Sequence, residues 1–357
     1  MLKKSISFIV CSNGYGHSKR VLSVLWELKK INNDIRLSVY ISRHLYNYFS
    51  NITDLSSING VEFRFDFTDF EFRWLSEDGV HEYKNWISAL SENCHLSSSS
   101  LIISDNYVLP VKNFPKTILM GSFLWPFIID KSNNTFEEIM EYELSWLSIN
   151  RTKLLCVDDM VMRQDLLNYV ELVGLPWFTE RENIDLLLDY IRPKILITGG
   201  GTGKLSDEIL EIAINIRNSR AISDVFLDAK LFLKAEENQI ESFKLFDFKN
   251  TSFRSLSAVV CRPGIGILTD CIKFNLPIFA ISDGKNKEIN HNGQRIEELG
   301  IGYKWSTENH DTSVISKKII EVLFNEIAIQ SLRNNLINRN VGGAKEAAKL
   351  SSQEVYE

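Results

Sequence analysis

Apolar positions along this chain keep two rhythms that alternate. Ile6–Cys11 is a short apolar run with Ser7 as its one polar residue, the pattern of a strand covered on both faces. From Ser18 to Lys30, Val21, Leu22, Val24, Leu25 and Leu28 return at helical spacing. "IRLSVYI" (35–41) reads as a second strand and "VEFRF" (61–65) as a third. "LIISD" (101–105) reads as a buried strand that ends on Asp105, and "KTILMG" and "KLLCVDD" add two more. Strands that alternate with helical stretches predict a parallel α/β sheet.

The rhythm breaks over 173–193, which holds two prolines and a charged stretch, and then restarts. "KILITGGG" repeats the opening logic of strand followed by glycine loop. "DVFLD", "AVVCR" and "LPIFAIS" read as further strands, with helices around 206–217, 267–274 and 287–299 and helical pattern from 312 onward. The predicted fold is therefore α/β, with two doubly wound Rossmann-like domains. The first spans 1–172, a linker 173–193, and the second 194–330; the helices of 331–357 are expected to cross back to the first. Ligands of such sheets sit beyond the carboxyl ends of the strands, so both glycine loops are expected to face one crevice.

Composition narrows the classes. The chain has 357 residues, long enough for two domains, with ordinary hydrophobic (44%) and charged (24%) fractions. A net charge of -6 argues against nucleic acid as a partner, because a basic footprint is missing. The five cysteines at 11, 94, 156, 261 and 271 show neither a CxxC pair nor metal-ligand spacing, which predicts free thiols, no metal and a reducing cytoplasm. The most apolar segment, "TILMGSFLWPFIID" (117–130), reads as core strand plus packed loop, with a peripheral membrane contact as the lesser alternative. The aromatic run 63–75 reads as a half-buried strand, or else as an acceptor surface.

Three stretches carry candidate chemistry. In "CSNGYGHSKR" (11–20), Gly14 and Gly16 permit a tight turn beside a helix start that suits an anion. His17 reads equally as a polar group at the cleft floor and as a helix-end residue bonding its own backbone. Lys19 stands where a Rossmann fingerprint needs glycine. In "GGGTGK" (199–204), the spacing fails the P-loop pattern, yet four glycines in five residues suit a backbone nest for a diphosphate, with Gly200, Gly201 and Thr202 at its centre. In 259–302, a strand ends at Arg262, and Gly264, Ile265 and Gly266 open a helix. Asp270 lies about one turn further, placed to accept from ribose hydroxyls. Glu288, Asn292 and Gln294 follow after another strand, with side chains suited to a polyhydroxylated ring.

The order "CRPG", Asp270, "LPIFAIS", Glu288, Asn292, "RIEELGIG" resembles the donor half of GT-B glycosyltransferases, MurG-type enzymes above all. "GGGTG" is similar to the glycine loop that opens their second domain, and "NGYGHSKR" to their first glycine loop. Three positions depart from that pattern: Asp270 for Glu, Ile289 for Gln, and Gly293 for Ala. "GYGHSKR" is also close to the G-x-G-H-x-x-R of nucleotide-sugar hydrolases of similar architecture. The resemblance implies sugar transfer from a nucleotide-sugar donor, a UDP-sugar first, to a glycan, lipid-linked or small-molecule acceptor. It implies inversion, no cofactor and no metal. His17 is then the first candidate base, and Asp105 the second. A hydrolase or epimerase of the same architecture, and a non-catalytic nucleotide-sugar binder, stay open.

Overall fold

A computed structural model describes residues 4–52, 55, 58, 60–65, 85, 86, 88–114, 116–128, 134–182, 193–200 and 205–356. The expectations for Gly201, Thr202 and most of the aromatic run 63–75 lie outside these residues.

The first unit is built on seven strands: β1 (Ser5–Ile9), β2 (Arg36–Tyr40), β3 (Val61–Arg64), β4 (Leu101–Asp105), β5 (Thr117–Met120), β6 (Lys153–Val157) and β7 (Glu171–Leu175). Their order is β3-β2-β1-β4-β5-β6-β7, and every pair is parallel. All residues of β4 and β5 are buried, which is why those strands read as continuous apolar runs rather than alternating ones. Three of its longer helices are α1 (Tyr15–Ile31), α2 (Arg43–Ile52) and α3 (Asn134–Asn150). Leu119, Leu154 and Cys156 centre one apolar cluster, and Ile9, Tyr40 and Ile102 another.

The second unit has six strands: β8 (Lys194–Thr198), β9 (Asp224–Leu227), β10 (Lys244–Leu245), β11 (Ala258–Cys261), β12 (Ile278–Ser282) and β13 (Gly302–Ser306). They run parallel in the order β10-β9-β8-β11-β12-β13. Helices α4 (Ser206–Asn218), α5 (Ala229–Glu237), α6 (Ile265–Phe274), α7 (Lys287–Glu298), α8 (Thr312–Leu323) and α9 (Glu326–Ile337) accompany them. Ile195, Ile197, Ile209, Phe279 and Ile315 centre its core. The final helix, α10 (Gly343–Glu354), packs on α1 in the first unit.

Contacts divide the chain into Met1–Phe178 with Gly342–Glu357, and Thr179–Val341. Two boundaries differ from the sequence reading. The stretch read as linker opens inside β7, where Val173, Gly174 and Leu175 pair with β6. A side chain at Gly174 would meet the Asp158 carboxylate at 2.4 Å, a close approach within an edge strand. The helical tail also splits, with 331–341 staying in the second unit and only α10 returning. The return is locked by backbone: Gly343 N–H donates to the Trp177 carbonyl (2.9 Å), and a Cβ there would lie 2.0 Å from the Pro176 oxygen.

Arg181 ties together two helix ends of the second unit. Its guanidinium donates to the Ile272 carbonyl and the Asn275 side chain at the end of α6, and to the Leu336 and Arg339 carbonyls at the end of α9. A cation at two helix C-termini satisfies carbonyls that have no helical partner. Arg181→Ala is expected to destabilise this unit by about 3 kcal/mol, read as a lowered midpoint in denaturant. Arg181→Lys should recover only part, since an ammonium cannot span four acceptors in a fork.

Candidate active site

Each sheet has one place where the chain leaves neighbouring strands in opposite directions, and there the carboxyl ends open a crevice. In the first unit that place lies between β1 and β4. The chain leaves β1 through Gly14, whose φ of 144° lies in the region that favours glycine, and enters α1 at once. The sequence reading started this helix at Ser18; it starts at Tyr15, whose ring stacks on Tyr48 of α2 with centroids 4.0 Å apart. Gly16 and His17 therefore stand in the first helical turn and not in a loop. No side chain caps this turn and no acid lies in it.

His17 Nδ1 lies 2.6 Å from an oxygen of Asp105, the last residue of β4. Arg20, one turn along α1, grips the same carboxylate with both arms, Nη2 at 2.7 Å and Nε at 3.2 Å. The side chain of Asp105 is 0% exposed, that of Arg20 6% and that of His17 13%. Arg20 Nη2 also lies 3.4 Å from His17 Nδ1, but two donors cannot bond each other. The shorter contact assigns the proton to Nδ1, donated to Asp105, and leaves Nε2 as a lone-pair nitrogen. Nε2 has no hydrogen-bond partner among the described residues. Phe123 sets its ring edge-on to the imidazole. Asp105 is thus placed to orient His17, and its burial corrects the expectation of a second base open to an acceptor.

Asn106 completes the group and was not anticipated. Its backbone is left-handed, with φ 59°, a conformation asparagine tolerates. Its side-chain oxygen accepts from Arg20 (3.3 Å), and its Nδ2 is buried without a partner among the described residues. The carboxamide fills the space a Cβ would need at Gly121, 1.8 Å from that oxygen. Gly121→Ala is therefore expected to push Asn106 off Arg20 and loosen the grip on Asp105. Turnover should fall at least about tenfold while the melting temperature drops by only a few degrees. Cys11, below the pair, is pushed up to about 12 by burial and then by the Asp105 charge, so it remains a thiol.

In the second unit the corresponding place lies between β8 and β11. Asp228, another unanticipated residue, organises it. One oxygen accepts from Thr198 Oγ1 (2.7 Å) and Gly199 N–H (2.9 Å), while the other caps α5 at Leu231 N–H (3.0 Å). Gly200 follows in the left-handed region at φ 75°. Arg262 leaves β11 with its N–H on the Thr198 carbonyl and its side chain half-buried. Burial pulls the Arg262 pKa down, against the Glu288 and Asp283 charges that hold it up. Gly264 is the N-cap of α6, so Ile265 and Gly266, expected just before that helix, form its first turn, which carries no acid and no side-chain cap. The Gly264 N–H donates to the Arg262 carbonyl (2.8 Å), so the anion-suited groups of this turn are the N–H groups of Ile265 and Gly266, beside an Arg262 that two carboxylates also face.

The remaining predicted donor residues fall into two groups. Glu288 lies half-buried in the first turn of α7, within charge range of Arg262. Asn292 is buried and donates its amide to the Pro263 carbonyl (2.9 Å), so it braces the turn before α6 instead of presenting itself to a ligand. Asp270 is also buried, in the second turn of α6. Ile289 points into the core, which explains why an apolar residue stands where the resemblance expects Gln.

No protein-family model and no curated protein matches the chain. Solved structures do match it along nearly its whole length. The glycotransferase of kitacinnamycin aligns at 11% identity and TM-score 0.67, covering 99% of this chain and 100% of its own. UGT71G1 of Medicago truncatula, complexed with UDP-glucose, aligns at 12% and 0.68, covering 99% and 98%. The glycosyltransferase VinC, in complex with DTDP, aligns at 13% and 0.60, covering 99% of each. At such identities the likeness shows the fold, a pair of doubly wound parallel sheets of the GT-B class, and carries nothing of the narrower MurG-type resemblance.

Proposed function

We propose that this chain is a glycosyltransferase that moves a sugar from a nucleoside diphosphate donor, a UDP-sugar first, to an acceptor hydroxyl. The observation that carries the reading is the His17–Asp105–Arg20 group, with its open Nε2 at the carboxyl edge of the first sheet. His17 Nε2 takes the acceptor hydroxyl proton as that oxygen bonds to the anomeric carbon. The bond from that carbon to the diphosphate oxygen breaks, and the nucleoside diphosphate departs with the electron pair. Asp105 goes on accepting from His17 Nδ1–H and faces the imidazolium that forms. One displacement inverts the anomeric centre. In the second unit, Arg262 and the first-turn N–H groups of Ile265 and Gly266 suit the charge that grows on the diphosphate, while the Gly264 N–H is already given to the Arg262 carbonyl (2.8 Å). In the same unit we assign the Gly200 turn to the phosphates and Glu288 to the sugar. Cys11 has no part as a nucleophile, since burial keeps it a neutral thiol.

Residues 117–124 are buried, and no described helix is long and apolar enough to cross a membrane.

Donor binding is checked by thermal shift with UDP, dTDP, GDP and CMP, then with sugars of the nucleotide that responds. Saturation at a hundred times the dissociation constant should add about 2.7 kcal/mol of stability. Arg262→Ala should lose most of that gain. A flat response to every nucleotide would remove the donor site.

A further inference from the structure

A histidine bonded to a buried carboxylate alone has a raised proton affinity, because the anion stabilises the imidazolium. Such a pair would hold its proton near neutrality and have no lone pair to offer. The group in the first unit differs in one respect. The carboxylate of Asp105 is already engaged at both oxygens by Arg20, and the guanidinium approaches His17 Nδ1 to 3.4 Å. A proton added at Nε2 therefore meets a balanced ion pair and a nearby cation, not a bare anion. We infer that Arg20 is a positioning residue that sets the proton affinity of His17, keeping the imidazole neutral and Nε2 available as a base near neutral pH.

The surroundings leave this balance to Arg20 and Asp105. Cys11 at the end of β1 and Cys156 on β6 are held as neutral thiols by burial, and Tyr107 after β4 as a neutral phenol. Tyr15 on α1 stacks on Tyr48, and Phe123 beside the ring carries no charge. Lys19 also stands on α1, two positions from His17, and adjacent-but-one residues of a helix do not share a face. Asp158 and Arg163, near Cys156, pair with each other at 2.6 Å. The Asn106 side-chain oxygen accepts from Nη2, the nitrogen that also bonds Asp105, which helps to fix the fork on the carboxylate. Lysine could supply the charge but not both arms.

The inference rests on the reading of His17 as the base, yet its test needs no turnover. The imidazole Cε1–H signal of His17, assigned by its loss in His17→Gln, is titrated by NMR in the full chain. Arg20→Gln, which removes the charge but keeps an amide donor, is expected to raise the midpoint by about one pH unit or more. Arg20→Lys should raise it less. The acidic limb of the rate profile should move by the same amount, a change that a merely structural role would not cause. If Arg20→Gln does not fold, Arg20→Lys is read alone, with a smaller upward shift expected. A midpoint that stays at the wild-type value in the folded variant would overturn the inference. A shifted midpoint in a chain that transfers no sugar would instead sink the transferase reading and leave the control by Arg20 intact.

Discussion

His17→Gln is expected to lower acceptor-dependent turnover by about 10²–10⁴-fold while nucleotide binding stays unchanged. The side chain is near the surface, with Nδ1 on Asp105 and Nε2 unengaged among the described residues. Glutamine can imitate the first contact but cannot take a proton at the second. Asp105→Asn should act on the same step by another route, because an amide can present its NH2 to Nδ1 and turn the tautomer around. Two residues that work as one unit do not add. The double variant His17→Gln, Asp105→Asn should therefore be no slower than the poorer of the two single variants. Steady-state rates at saturating donor read this directly, and multiplied losses would mean that the two side chains act separately.

Asp105→Ala should do something different, namely destabilise the first unit by about 3–5 kcal/mol. Arg20 is 6% exposed and faces a carboxylate that is 0% exposed. Deleting the acid strands a buried cation that keeps only its weak contact with Asn106. Removing the charge as well, in Asp105→Leu with Arg20→Met, should recover most of the lost stability, because a buried ion pair often gains little over apolar side chains of similar volume. The pair of substitutions should not recover turnover. Denaturant midpoints and rates measured on the same three proteins separate the two roles. Stability that returns together with activity would make the ion pair only a structural brace.

The sheets were legible in the sequence where strands are buried on both faces. Ile6–Cys11, 101–105 and 258–262 read as strands because no more than one serine interrupts their apolar residues before the strand end. Three of the four edge strands were not. β7 carries a glycine, β13 opens on glycine and holds a lysine, and β10 has two exposed residues, so none shows a continuous apolar run. Two helix starts were read late, those of α1 and α6, while the readings at 206, 287 and 312 match the starts of α4, α7 and α8. α1 begins on Tyr15 and Gly16, and its first turn is held by an aromatic stack that spacing does not reveal.

Within the site, His17 and Asp105 were legible as a glycine-loop histidine and a strand-end acid. Their contact was not, because it depends on β1 and β4 being neighbours in a sheet whose order departs from the chain order. Arg20 had a visible signal, three positions from His17 on one helix face, in a stretch already close to G-x-G-H-x-x-R. Asp228 had one too, an acid at a strand end just before a helix, the place of an N-cap. Asn106 had none, since its place is set by a left-handed backbone and by the missing Cβ of Gly121. Asn292 misled for the opposite reason: an amide suited to a sugar by type is engaged in holding the Pro263 turn.

The most direct measurement is release of the nucleoside diphosphate from a nucleotide sugar, followed with and without a panel of hydroxyl acceptors, in the wild type and in His17→Gln. Release that requires an acceptor, yields a glycosylated product and collapses in the variant is the expected result. Release at the same rate without any acceptor, or undiminished in His17→Gln, would contradict transfer driven by this histidine.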